Sequence, residues 1–246
     1  MRGKNSCFVA GMVSIAFIAA SSLTALAADV KVYAEGAYTA TKLDVFIYAD
    51  INAAPLVSAG VSLTYDNTKL ALVSALKKVK PTDPEIWYFG TPAAPYVYQE
   101  PQDTGSEVVF LCGKLDTDNP GVGVNGSRKL IGKVTFSRTE SGAPGVSPEV
   151  YFGSTLGLGI IRTEPDVFAN FVTNGGTVLD SAVNGVSYAI TIRERGDANT
   201  DRVITTSDYY AAKSRITSGV YAVYADCNDD GVITTSDYYC IKSLMK

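Results

Sequence analysis

The block Val-Ile-Thr-Thr-Ser-Asp-Tyr-Tyr occurs twice without change, at 203–210 and at 232–239. The repeat reaches further upstream. Asp197-Ala-Asn199-Thr-Asp201-Arg-Val203-Ile-Thr205 aligns with Asp226-Cys-Asn228-Asp-Asp230-Gly-Val232-Ile-Thr234. A duplicated unit this short cannot bury a core alone, so the two copies are expected to pack on each other. Each copy carries short oxygen side chains at every second position. Such spacing turns three oxygens toward one point, as a hard cation such as calcium requires.

Counted as loop positions, the donors fall in order. Positions 1, 3 and 5 are Asp197, Asn199 and Asp201, then Asp226, Asn228 and Asp230. Position 7 offers the backbone carbonyls of Val203 and Val232, and position 9 places Thr205 and Thr234 for contact through water. Position 12 closes the shell with Asp208 and Asp237, one methylene shorter than the glutamate of an EF-hand. Two calcium ions are therefore expected. Position 6 turns sharply and favours glycine; Gly231 meets this and Arg202 does not. The first loop is thus expected to be the more strained and the weaker.

Each loop leads into a short helix. Thr205 and Thr234 are predicted N-caps, with an aspartate three residues later. Tyr209, Ala212 and Ile216 share one helical face, repeated by Tyr238, Ile241 and Met245. These stripes are expected to join the helices. The opposite faces carry Thr206, Ser207, Tyr210, Lys213 and Ser214, then Thr235, Ser236, Tyr239, Lys242 and Ser243.

The chain begins as an export leader. Arg2 and Lys4 precede an uncharged stretch from Phe8 to Leu26, and Ala25-Leu26-Ala27 fits a cleavage site. Residues 1–27 are read as a signal peptide. The mature protein is expected to be secreted, with no membrane span after cleavage, in a setting that permits disulfides. Cys227 and Cys240 occur only in the second repeat, where the first has Ala198 and Ala211. Their joint appearance makes them a disulfide candidate worth about 3 kcal/mol. Cys112 reads as a buried thiol.

Composition narrows the function. The 246-residue chain has no histidine and a formal charge of −4. Histidine-based triads and zinc sites are excluded, and an acidic chain is a poor ligand for nucleic acid. No catalytic motif is present. Asp116 and Asp118 could pair for glycoside hydrolysis, but Asp-x-Asp in a turn is more often a turn feature. The chain is read as not an enzyme.

Residues 28–192 read as all-β. Runs at 43–51, 59–65, 70–76, 107–115, 129–136 and 186–192 alternate or stay apolar. Asp66-Asn67, Asn125-Gly126 and Asn174-Gly175-Gly176 supply turn chemistry between runs. Between Pro81 and Pro101, Trp87, Tyr88, Phe89, Tyr96 and Tyr98 form a candidate sugar platform or a pinned loop.

Residues 193–246, with two loop–helix repeats and no entering helix, resemble a dockerin. The resemblance implies that the polar pairs flanking each helix start, with the Lys-Ser pair further on, contact a cohesin-bearing protein. Lys-Ser departs from the Lys-Arg typical of that family. More loosely, Leu43-Asp-Val-Phe-Ile-Tyr48, Ala59-Gly-Val-Ser-Leu-Thr-Tyr-Asp66 and Leu130-Ile-Gly-Lys-Val-Thr-Phe136 resemble a cohesin. That implies a jelly-roll sandwich that receives a dockerin-bearing protein. The expected fold is an all-β jelly-roll sandwich followed by a small all-α calcium loop–helix pair. The whole resembles a non-catalytic, monovalent adaptor scaffoldin of the cellulosome type, which implies a polysaccharide-degrading context. The alternative is a carbohydrate-binding sandwich carried by its dockerin. The joint near Arg193-Glu-Arg195-Gly196 is short, which argues against the C-terminal segment folding back onto a distant face of its neighbour.

Overall fold

The computed structural model describes residues 30–77, 79, 100–113, 123–139, 144–160, 171–177 and 188–245. The leader, the aromatic stretch from Trp87 to Tyr98 and the pair Asp116 and Asp118 lie outside these residues.

The chain is mostly β. Strand β1 (Val30–Tyr38) pairs antiparallel with the first part of β2 (Lys42–Tyr65). Strand β3 (Leu70–Leu76) flanks β6 (Val124–Arg138), which lies on the other side of β2. Strand β9 (Ile190–Glu194) runs parallel to β1 and completes the order β3-β6-β2-β1-β9. The second part of β2 pairs with β5 (Glu107–Gly113), β7 (Leu156–Ile160) and the two-residue β8 (Val172–Thr173). Strand β4 (Gln102–Asp103) extends β5.

The two runs expected at 43–51 and 59–65 are thus one strand of 24 residues. Its register with β6 slips between Ile51 and Leu56, around Pro55, which has no N–H to give a ladder. One strand therefore serves two layers. Asn125-Gly126, expected as a turn, lies inside β6 opposite that slip, with Gly126 at φ 107 and Arg128 at φ 51. Turn chemistry here makes a bulge.

The layers enclose one core. Val32, Leu43, Val45 and Ile47 face Val61, Leu63, Val108 and Phe110. Gly132 is required by this closeness: a Cβ there would sit 2.2 Å from the Phe110 ring. Tyr65 and Phe136 pack at 5.0 Å between ring centres. Helix α1 (Pro148–Thr155), too short to show periodicity in sequence, places Phe152 in the same core.

A second core lies on the outer face of the first layer. Ala37, Phe46 and Tyr48 pack there against Ala198, Ala212, Ala222, Val223, Tyr224 and Ile241. The C-terminal segment therefore folds onto its own sandwich. The joint leaves β9 at the edge of that same layer, so the covered face is adjacent rather than distant. Arg195 N–H donates to Tyr38 O and Gly196 N–H to Tyr224 O, turning the chain onto the sheet at once.

Candidate metal loops and partner-facing surface

Both loop–helix repeats form. Helix α2 (Thr206–Ser218) and helix α3 (Thr235–Leu244) start from Thr205 and Thr234 with complete capping boxes. Asp208 Oδ2 accepts from Thr205 N at 2.8 Å, and Asp237 Oδ2 from Thr234 N at 2.7 Å. Helix α2 ends at Gly219, which is left-handed at φ 68. The predicted stripes meet: Tyr209 and Tyr238 pack edge to face at 4.8 Å, while Ala212 and Ile241 are fully buried.

In the first loop, Asp197, Asp201 and Asp208 each bring a carboxylate oxygen within 4.8 Å of the others. Among the described residues, these three are the carboxylates that meet so closely. Asp201 Oδ1 accepts from Val203 N and Asp208 Oδ1 from Asn199 N. Asp197 is 1% exposed. Its Oδ2 accepts from Arg202 N at 3.0 Å, but its buried Oδ1 has no hydrogen-bond partner. Three like charges at this distance repel, and a buried unpaired carboxylate oxygen is costly. The donor set, hard oxygens only, fits a calcium ion. Arg202 takes the left-handed conformation at φ 76, where Gly231 stands at φ 85 in the second loop. Strain at position 6 is thus present, at about 1 kcal/mol.

The second loop repeats the hydrogen bonds of the first, but its carboxylates converge less closely and it is held differently. Asp226 Oδ2 accepts from Gly231 N at 3.0 Å and from the Tyr221 hydroxyl at 2.8 Å, and its Oδ1 accepts from Asp230 N at 3.1 Å. Burial holds the carboxyl groups of Asp197 and Asp226 above their ordinary range. Cys227 and Cys240 form a disulfide that ties position 2 of this loop to α3.

An ionic cluster, found by no sequence reasoning, joins this loop to the sandwich. Asp229 pairs with Lys42, with Lys133 at 3.6 Å and with Arg195 at 3.3 Å. Arg195 also pairs with the fully buried Asp44 and donates to Asp226 O at 2.5 Å. Thr135 donates to Asp44 Oδ1 at 2.6 Å. Burial pushes the Asp229 carboxyl up, but Arg195, Lys42 and Lys133 outweigh it and hold it below its ordinary value. Beside this cluster, Arg128 clamps Glu35 at 2.6 Å, donates to Tyr221 O at 3.2 Å and stacks over Tyr48 at 4.5 Å. A sequence signal existed: Phe46 and Tyr48 sit at the positions of β2 that an exposed sheet face would give to polar groups.

Docking on the sandwich leaves the predicted contact face open. Thr206, Ser207, Tyr210, Lys213, Ser214, Thr235, Ser236, Tyr239, Lys242 and Ser243 are all exposed. Tyr210 and Tyr239 are each 62% exposed. Their rings lean on Tyr209 at 5.3 Å and Tyr238 at 4.6 Å, so the four tyrosines form one cluster.

No family model matches the chain, and no curated protein does. Among solved structures, it is similar to a cohesin–dockerin complex of Clostridium thermocellum, Coh-OlpA-Doc918. Identity there is 9% and the TM-score 0.39, over 66% of this chain and 98% of that one. It is also similar to the solution structure of CaCohA2 from Clostridium acetobutylicum, at 13% identity and TM-score 0.36, over 66% and 90%. The seventh ScaB type I cohesin from Pseudobacteroides cellulosolvens matches at 14% identity and TM-score 0.34, over 67% and 93%. Likeness of this degree is too slight to assign a family.

Proposed function

We propose that the chain is a secreted, non-catalytic assembly protein. Residues 193–246 act as a dockerin-like plug that folds around two calcium ions and enters a cohesin-bearing protein. The sandwich acts as a cohesin-like receptor for a dockerin-bearing protein, in an assembly that handles polysaccharide. The observation that carries this reading is the duplicated surface. Ten polar and tyrosine side chains, repeated position for position, all face solvent on a scaffold whose first loop gathers three carboxylates around an unpartnered buried oxygen. Hydroxyl, ammonium and tyrosine groups together suit a hydrogen-bonded protein interface with aromatic anchors.

Calcium would be held by Asp197, Asn199, Asp201, Val203 O and Asp208, with Thr205 through water, and by their counterparts in the second loop. It supplies charge neutralisation and fixes the loop ahead of each helix. The capping boxes then hold Thr206-Ser207 and Thr235-Ser236 at the helix starts.

The test uses the mature chain, because the C-terminal segment shares a buried core with the sandwich. Binding to a panel of purified cohesins is measured by calorimetry, with calcium and with EDTA. Calcium-dependent binding to at least one cohesin supports the reading, and calcium-independent folding with no binding overturns it. Changing Thr206-Ser207 alone should weaken binding little if either copy can serve, while changing both pairs should abolish it. Equal loss from one pair and from both would remove the two-fold version.

A further inference from the structure

We propose that the sandwich is part of the second calcium site: Lys42, Lys133 and Arg195 clamp Asp229 and Asp226 O, so that ion binding in this loop and docking on the sheet are one coupled event. The inference rests on the calcium reading of the loops and adds positioning residues that lie outside them.

Asp229 is position 4 of its loop and so stands outside the alternating donor set. Its carboxylate turns instead toward Lys42, Lys133 and Arg195. Lys42 and Lys133 belong to β2 and β6, far away in sequence. Arg195 then reaches position 1 directly, donating to Asp226 O while pairing with Asp44 of the sandwich. Tyr221 adds a third tie, with its hydroxyl on Asp226 Oδ2 and its ring 5.5 Å from that of Phe46. Position 4 is therefore held by Lys42 and Lys133 of the sandwich, and position 1 by Arg195 and Tyr221 of the segment, which Asp44 and Phe46 of the sandwich hold in turn. The first loop lacks the position 4 clamp, since Thr200 stands there exposed, although Arg193 of β9 lies 3.8 Å from Asp197 Oδ2 at position 1. Coupling of this kind is reciprocal. An ion in the second loop tightens docking, and loss of docking weakens the ion.

Lys42→Met decides the matter by sign. Lys42 is 36% exposed at its side chain, so its replacement leaves the sandwich core intact. If Lys42 acted only as a nearby positive charge, its removal would tighten a calcium site. If it acts as a clamp, its removal weakens the site by up to roughly fivefold, the upper end of the range expected of a partly exposed pair. Calcium is titrated into the mature chain by calorimetry in two backgrounds. Asp201→Ala isolates the second loop, and Asp230→Ala isolates the first. The expected result is weaker calcium in the second loop and unchanged calcium in the first. Asp229→Asn, which keeps shape and tolerance of φ 59, should weaken the same site, and adding Lys42→Met to it should cost nothing more. Tighter or unchanged calcium in Lys42→Met overturns the coupling while leaving the calcium reading intact. Absence of calcium binding in the unmutated chain removes the calcium reading and the inference with it.

Discussion

Replacing Cys227 and Cys240 together by alanine gives the second repeat the residues that the first repeat already carries at those positions, Ala198 and Ala211. The variant therefore introduces no new shape into the repeat, and its main effect is loss of the cross-link. The disulfide spans a sequence separation of 13. Closing a loop of that length in the unfolded chain is worth about 3 kcal/mol. The opening equilibrium of the segment around α3 should then rise by about 100-fold. Hydrogen exchange of the α3 amides, followed by mass spectrometry in EDTA, reads this directly, with β5 in the sandwich as an internal reference. Unmutated protein under reductant should show the same loss without any change of side-chain volume. Calcium that binds only the folded segment lowers opening equally in both proteins, so the difference should persist at saturating calcium. A change below about threefold, with reductant and the variant agreeing, would refute the loop-closure argument.

Three further outcomes follow from packing. Gly132→Ala puts a methyl group 2.2 Å from the Phe110 ring, and overpacking of this kind should cost about 1–3 kcal/mol, visible as a lower thermal midpoint. Phe46→Ala empties the centre of the second core at a cost of about 3–5 kcal/mol; the C-terminal segment should then become protease-sensitive before the sandwich does. Burial pushes the Cys112 thiol up to about 12, so at pH 8 it stays protonated and should resist iodoacetamide until the sandwich unfolds.

Local chemistry was legible where few residues decide the outcome. The two loops, both capping boxes and the helix stripes follow from spacing alone. Strand β3 is where its apolar run places it. Longer-range features were harder. The continuity of β2 was hidden because Asn52 to Ser58 shows neither alternation nor an uninterrupted apolar run. The strand named at 186–192 lies at Ile190–Glu194, since pairing with β1 sets its bounds. The short joint bears only on the far side of the sandwich, and docking on the near face was not legible because it depends on β9 delivering the chain to the edge of the face that it covers. The ionic cluster was invisible because its members come from Lys42, Asp44, Lys133, Arg195 and Asp229, and only folding gathers them.

The two repeats differ at two loop positions where the second copy is tied to its surroundings, and agree over the outer helix face. Position 2 is Ala198 in one copy and the disulfide-bonded Cys227 in the other, and both are buried. Position 4 is the exposed Thr200 in one copy and the clamped Asp229 in the other. Identity is complete at Thr206, Ser207, Tyr210, Lys213 and Ser214 against Thr235, Ser236, Tyr239, Lys242 and Ser243, all of them solvent-facing. Packing accounts for the identities at the buried pairs Asp197 and Asp226, and Asp208 and Asp237, since burial restricts side chains, but exposure leaves the outer positions free. Tyr210 and Tyr239 each gain one ring contact, with Tyr209 and Tyr238, yet leave most of their surface in water. An outside surface that reads either copy would keep them alike, and it would set no limit on the positions that face the sandwich. Under the proposed function, identity over this open face is what a partner that reads either copy would require.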